Sequence, residues 1–339
     1  MESFLVDRWT RGLVAERTID EASVALATEL TRREARGIGL SEADAMSLAT
    51  VASELGHNQL RHARLGVLAV HAIERCGVRG LEVVAADAGD GIDDVMRLLA
   101  DDARAGAESL GIGLAGVTRL ADEVDFDVRI DEGTCVWARK FVASVPRAKA
   151  VGLVGRPIDG ELRAGDDAGF VRLDDGTLVL ALADGLGHGA EARAASSAAV
   201  DHALARPDRP PEEILAEVHH AIARSRGAVM AIARLAPGGA LDVAIAGNVA
   251  VRTAGRKPGS DRHYAGPSFA LGMPGAAPRM RAEHDVVGSH ELLVAFSDGT
   301  STRLAVDVSL FSVPPLVAAR KLLDAFSDGR DDALIAVVR

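Results

Sequence analysis

The chain is 339 residues long with a formal net charge of −11, and 48% of it is hydrophobic although only 3% is aromatic. That length suits two or more domains with cores of Ala, Val and Leu, and the acidic balance argues against a nucleic-acid groove. No apolar run reaches the roughly 18 residues of a membrane span and no signal-peptide pattern is present, so a cytoplasmic protein with no membrane attachment is expected. Cys76 and Cys135 form no metal spacing and are expected as small core residues without a disulfide.

In chain order, the first clear element is a helix predicted from "SEADAMSLATVASELGHNQLRHA". Ser41 is its N-cap, and Ala45, Leu48, Val51, Ala52 and Leu55 recur at helical spacing. Glu54 and Asn58 share one face of that helix, which by itself suits a solvated polar face as well as a site. The run "LEVVAADAGDGI" predicts a strand ending at Asp87, followed by Gly89 and Gly91, which let the backbone approach a ligand closely. After an acidic, helix-like stretch over 93–108 comes "ESLGIGLAGVTRLADEVDF", where Gly111, Gly113 and Gly116 run into a helix start of the kind that receives phosphate. It is not a Walker loop, because no Gly-Lys-Ser/Thr follows. "GTCVWARKFVA" reads as a strand, and the chain changes character near "SVPRAKAVGLVGRP".

Those three boxes, E-x-x-x-N, D-x-G-x-G and G-x-G-x-x-G, resemble the GHKL ATPases, most closely their anti-sigma-factor serine kinases, over roughly residues 5–142. The resemblance implies an α/β sandwich with helices on one face of a mixed sheet, binding ATP with Mg²⁺. By it, Asn58 ligates the Mg²⁺, Asp87 meets the adenine amino group, and Gly89 and Gly91 line the base pocket. Gly111, Gly113 and Gly116 would cradle phosphates, and Glu54 would be the general base that activates a serine or water. The short stretch between the second and third boxes fits the serine-kinase branch. Arg61 and His62 receive no role.

The second half gathers acids at strand ends. Asp166 and Asp167 stand beside a strand-like segment, and "DGLGHG" (184–189) follows the apolar run "TLVLALA". Asp298 and Gly299 follow "ELLVAF", and Asp331 and Asp332 precede the last strand. An Asp-Gly pair alone is an ordinary turn signal. Carboxylates from several strand ends are, however, what hard divalent cations require. In each Asp-Asp pair only one acid should point inward, because strand residues alternate faces. Helices are expected over 189–207, 210–226 and 312–327, the last two with prolines at their starts.

In register, Gly165-Asp166, "DGLGHG", "AGNVAVR", "SDG" and "DDALIAVV" resemble the metal-dependent PPM serine/threonine phosphatases of the bacterial SpoIIE type, over roughly residues 148–339. The resemblance implies two Mn²⁺ or Mg²⁺ ions held by Asp166, Asp184, the Gly185 carbonyl, Asp298 and Asp331. Asp184 would bridge the ions and His188 would serve either as a proton donor or as a helix cap.

The expected fold is therefore α/β (α+β): a GHKL-like sandwich over 1–143 and a PPM-type αββα layered sandwich over 148–339. The expected function is a bifunctional regulator that phosphorylates and dephosphorylates one partner class, the STAS-domain anti-sigma-factor antagonists. A phosphatase with a nucleotide-sensing or docking first domain is the alternative. A sigma factor or sensor protein is a further partner class, and homodimerisation follows from the kinase family alone.

Overall fold

The computed structural model describes residues 4–10, 13–92, 113–257, 259–275 and 279–339. The stretch over 93–108 and Gly111 lie outside these. The chain divides into two compact units, Met1–Ala150 and Val151–Arg339.

In the first unit, α1 (Phe4–Trp9) and β1 (Ala15–Arg17) precede two long helices, α2 (Glu21–Ile38) and α3 (Glu42–His62). Asp20 closes a reciprocal capping box with Ser23, and Ser41 accepts the Asp44 amide at 3.1 Å, so both helix starts are fixed by side-chain oxygens. Then come β2 (Ala63–Arg75), β3 (Val78–Gly89), α4 (Gly113–Leu120), β4 (Glu123–Arg129) and β5 (Gly133–Phe141). The strand order within this unit is β1-β2-β3-β5-β4. Every described pair within this unit is antiparallel, so the expected mixed sheet is not found: hairpins join β2 to β3 and β4 to β5, and the connection from β3 through α4 crosses over β5 to reach β4 at the far side.

Helices α2 and α3 pack on one sheet face. On the other, Trp9 of α1 meets Trp137 edge-on with centroids 4.7 Å apart, so helices are not confined to one side. Cys135 is buried, but Cys76 is exposed rather than in the core. It occupies the tight β2–β3 turn with Gly77, both at positive φ (50° and 76°), the geometry a two-residue hairpin demands.

The second unit contains two antiparallel sheets. One has the order β6 (Val151–Arg156), β15 (Ala333–Val338), β14 (Leu292–Phe296), β11 (Ala250–Ala254), β12 (Arg262–Tyr264). The other runs β13 (Ala282–Val286), β10 (Ala240–Ala246), β9 (Ala228–Leu235), β8 (Leu178–Gly185), β7 (Asp166–Arg172). Helices α5 (Gly189–Leu204) and α6 (Pro211–Ala221) cover the second sheet, and α7 (Pro315–Phe326) covers β6 and β15 of the first. The layers are thus α-β-β-α.

Along β8 the side chains alternate. Val179, Ala181 and Ala183 join Val200, Leu215 and Val218 in the core under α5 and α6, which leaves Leu180, Leu182 and Asp184 turned toward the other sheet. Helix α6 ends at Ala221, earlier than expected, because 222–226 form the turn into Gly227 (φ 88°) that starts β9.

Candidate functional site

The first unit holds a cleft of about 330 Å³ between α3 and the sheet. Asn58 of α3, Asp87 and Gly89 of β3 and Gly91 line it, together with Leu114 of α4. The Asp87 carboxylate accepts the amides of Gly89 (2.9 Å) and Thr134 (3.1 Å) through Oδ1. Burial pushes its pKa up to about 6, and the two amides only partly offset this. The surrounding backbone is tight. A Cβ on Gly91 would stand 2.7 Å from the Arg129 carbonyl, and one on Gly133 would stand 2.0 Å from the Asp87 carbonyl.

Glu54 does not line this cleft. It is 8% exposed, and its Oε1 accepts the Gly113 amide at 3.2 Å, the first residue of α4. The helix start expected to receive phosphate therefore meets a carboxylate. Gly113 has φ 63°, while Gly116 is buried within α4 and off the cleft wall. Gly111 lies outside the described residues. Sequence reasoning missed Thr134, Gln59 and Gly133, and it gave no role to His62, which also lines the cleft. Only the folded sheet brings Thr134 to Asp87, so no local spacing marks it.

In the second unit the acids meet at one end of the sandwich. Asp166 opens β7 directly opposite Asp184 near the end of β8. Asp298 and Asp331 flank β14 and β15 of the other sheet and line a common cleft of about 520 Å³. Asp166 is 2% exposed, and its Oδ2 has no hydrogen-bond partner among the described residues. Burial first, and then the charge of Asp184, raise the Asp166 pKa well above the usual carboxylate range. Burial and the Asp298 charge push Asp184 to about 8. Two neighbouring carboxylates that resist ionisation together call for positive charge.

The two Asp-Asp pairs resolve by geometry. Asp167 pairs across with Ala183 and shares its helix-facing side, so Asp166 is the acid that turns between the sheets. Asp332 is buried with its carboxylate committed to two backbone amides, Ile158 (2.8 Å) and Gly165 (2.6 Å), so it braces the loop that delivers Asp166. Asp331 keeps the cleft position.

Supporting contacts fix these groups. The buried Arg193 of α5 donates to the Ala164 (2.7 Å) and Asp166 (3.1 Å) carbonyls, and Ser196 donates to the Gly165 carbonyl (2.5 Å). Gly185 must lack a side chain because a Cβ would lie 2.0 Å from the Ala192 carbonyl of α5. Asn248, from the "AGN" turn, donates to Asp298 Oδ2 at 2.6 Å. His188 is exposed and makes no side-chain cap to α5. It pairs instead with Glu161 at 3.2 Å, which leaves the capping alternative without support.

The donor set is all oxygen, with one buried oxygen lacking a partner, and it fits Mg²⁺ or Mn²⁺. Among the described residues no three His, Cys, Asp or Glu side chains close on one point tightly enough to cage an ion. That spacing suits an ion that keeps several waters. No helix of the described residues is long and apolar enough to cross a membrane.

Residues 18–140 match the family described as histidine kinase-like ATPase domain, and residues 174–338 match that of stage II sporulation protein E (SpoIIE). The serine/threonine-protein kinase RsbT of Bacillus subtilis (strain 168) is 32% identical over 126 residues, which cover 37% of this chain and 94% of that relative. A solved structure from work on the bacterial stressosome as a modular system controlling secondary messenger signaling aligns over 57% of this chain and 100% of its own. Its identity is 24% and its TM-score 0.52. RsbX in complex with magnesium aligns over 57% of this chain and 96% of its own, at 19% identity and a TM-score of 0.50. These two likenesses are of fold alone. The chain belongs to the RsbT-like histidine kinase-like ATPases through its first unit, joined in the same polypeptide to a domain that matches the SpoIIE family.

Proposed function

We propose that the chain is a two-activity regulator. Its second unit removes phosphate from serine or threonine of a protein partner, and its first unit transfers phosphate from ATP to the same partner class, the STAS-domain antagonists of anti-sigma factors. The observation that carries the reading is the meeting of Asp166, Asp184, Asp298 and Asp331 at one end of two sheets, with Asp166 and Asp184 driven toward protonation by burial and by the acids around them.

In the phosphatase unit Asp166, Asp184, Asp298, Asp331 and the Gly185 carbonyl would hold two Mn²⁺ or Mg²⁺. When bound, such ions acidify water and offset charge on the phosphoryl oxygens. Asn248 steadies Asp298, while Arg193, Ser196 and Asp332 hold the Asp166 segment in place. No cysteine among these groups offers a covalent thiol route.

In the ATPase unit Asp87 offers a carboxylate for an exocyclic amine, Asn58 an amide for Mg²⁺, and Gly89 and Gly91 a backbone that admits the base. Gly111 and Gly113 would border the phosphates, while Gly116 packs inside α4. Glu54 is the candidate general base, and its contact with the Gly113 amide places it beside that helix start. Holding both activities on one chain raises the effective concentration of the shared partner at each site. A sigma factor or sensor protein as a further partner, and a homodimeric assembly, belong to the same reading.

The test uses Asp184→Asn protein, Mg-ATP and an unphosphorylated STAS-domain protein from the same cell, read by mass spectrometry. Phosphate on serine that vanishes in the Glu54→Ala double variant supports both activities. Absence of transfer with ATP still bound supports the second reading, in which the first unit senses nucleotide or docks the partner. That reading is favoured by Glu54 standing off the cleft wall.

A further inference from the structure

We propose that Arg303 grips the phosphate of the substrate in the cleft beside Asp298 and Asp331, so that this cleft is built for a phosphomonoester dianion. The proposal rests on the phosphatase reading above and names how that site holds its substrate.

The charge balance calls for such a group. Asp166, Asp184, Asp298 and Asp331 together would carry four negative charges when ionised, so two divalent ions would only neutralise them. The buried Asp332 adds a further negative charge beside Asp166, so the ions and acids taken together give an entering dianion no net Coulomb attraction, and a cation inside the cleft offsets that repulsion. Arg303 lines the same cleft of about 520 Å³ as Asp298 and Asp331. The other acid on the cleft wall, Asp328, is engaged by Arg330 at 3.4 Å. Arg303 makes no ion pair among the described residues. Its guanidinium presents the planar fork that takes two phosphoryl oxygens at once.

The loop that carries Arg303 is held on both sides. It leaves β14 through Asp298 and Gly299, and a Cβ on Gly299 would stand 1.9 Å from the Asp332 carbonyl, so the loop runs hard against the chain entering β15. Thr300 is fully buried and bridges to Ser327, and Ser301 donates its amide to the Phe326 carbonyl at 2.8 Å. From the other side Arg252 donates to the Thr302 (2.6 Å) and Leu304 (2.8 Å) carbonyls, and the Ser301 hydroxyl accepts the Arg303 amide at 3.2 Å. Every neighbour of residue 303 is thus tied down while its side chain stays exposed. Fixing the backbone beforehand lowers the ordering cost of a charged contact.

The experiment titrates inorganic phosphate into the full chain in the presence of Mn²⁺ by calorimetry, for wild type, Arg303→Ala and Arg303→Lys. A charged, forked contact predicts phosphate affinity about 10- to 100-fold weaker in Arg303→Ala and partly restored in Arg303→Lys. Mn²⁺ affinity and the thermal midpoint should be unchanged. Equal phosphate affinity in wild type and Arg303→Ala overturns the proposal, as does a loss of Mn²⁺ affinity in the variant, which would make Arg303 a support of the acids. A wild type that binds phosphate through Arg303 yet hydrolyses no phosphoserine peptide overturns the phosphatase reading instead and leaves the phosphate grip standing.

Discussion

Two carboxylates carry the sharpest expectations at the residue scale. Asp87 has its pKa raised to about 6 by burial, against 3.8 in an unfolded chain. The folded state therefore binds the proton more tightly, and stability falls as pH rises from about 4 to 6, by at most about 3 kcal/mol. A donor such as the adenine amino group needs the ionised form. ATP affinity should accordingly weaken as pH falls below about 6, approaching tenfold per unit, and a flat profile between pH 5 and 8 in a nucleotide titration would refute the role of Asp87. Asp184, raised to about 8, should show the opposite pairing of effects on substitution. Asp184→Asn should cut Mn²⁺-dependent phosphoserine hydrolysis below about one hundredth of wild type. In metal-free buffer near pH 7 it should raise the melting temperature by a few degrees, because it removes the cost of holding a carboxyl protonated among neighbouring acids when the unfolded chain would ionise it. A lower metal-free midpoint would show that Asp184 is structurally required.

At the scale of elements, the site depends on how closely α5 approaches the sheet. Gly185→Ala forces a methyl into the Ala192 carbonyl, and Arg193→Ala frees the carbonyls of Ala164 and Asp166. Each should lower stability by roughly 2–4 kcal/mol, measured by denaturant unfolding, and should reduce hydrolysis along with it. Elements of this kind were legible in the sequence where the signal is local. The Ser41 cap, the helical period through Leu55, the run into Asp184 and the prolines that start α6 and α7 all act within a few residues of themselves. The partners of those elements were not legible. Arg193 reaches back to residues 164 and 166, Thr134 of β5 meets Asp87 on the neighbouring β3, and Asp332 serves Gly165 rather than facing the cleft. Nothing in the spacing of such residues encodes the contact, since the chain must first fold to create it.

For the whole molecule, the two compact units should respond to different ligands. Mn²⁺ should protect amides of 151–339 from hydrogen exchange, most strongly around Asp166 and Asp184, and Mg-ATP should protect those of the first unit around Asp87. Protection by Mn²⁺ that appears only in the first unit would contradict the assignment of the acidic site. The overall layering was accessible from the order of strand-like and helix-like runs. The antiparallel character of the first sheet was not, because apolar runs alone do not specify strand direction.

The opposition of Asp166 and Asp184 in the β7–β8 hairpin ties the chemistry to a turn at its far end. That turn is closed by Leu173 and Thr177, with Gly176 at φ 85° and the Asp175 carboxylate on the Thr177 amide at 2.8 Å. Strand pairing has a period of two, so a single residue inserted there and absorbed by β7 would exchange the two faces of that strand. Asp167 would then stand where Asp166 does, and the buried acid would be delivered beneath a helix. The spacing of a remote turn is thus a ruler for the active end of the sandwich: a change of length in steps of two keeps the parity of the ladder and the facing of Asp166, while Gly176 holds the one left-handed position the turn requires.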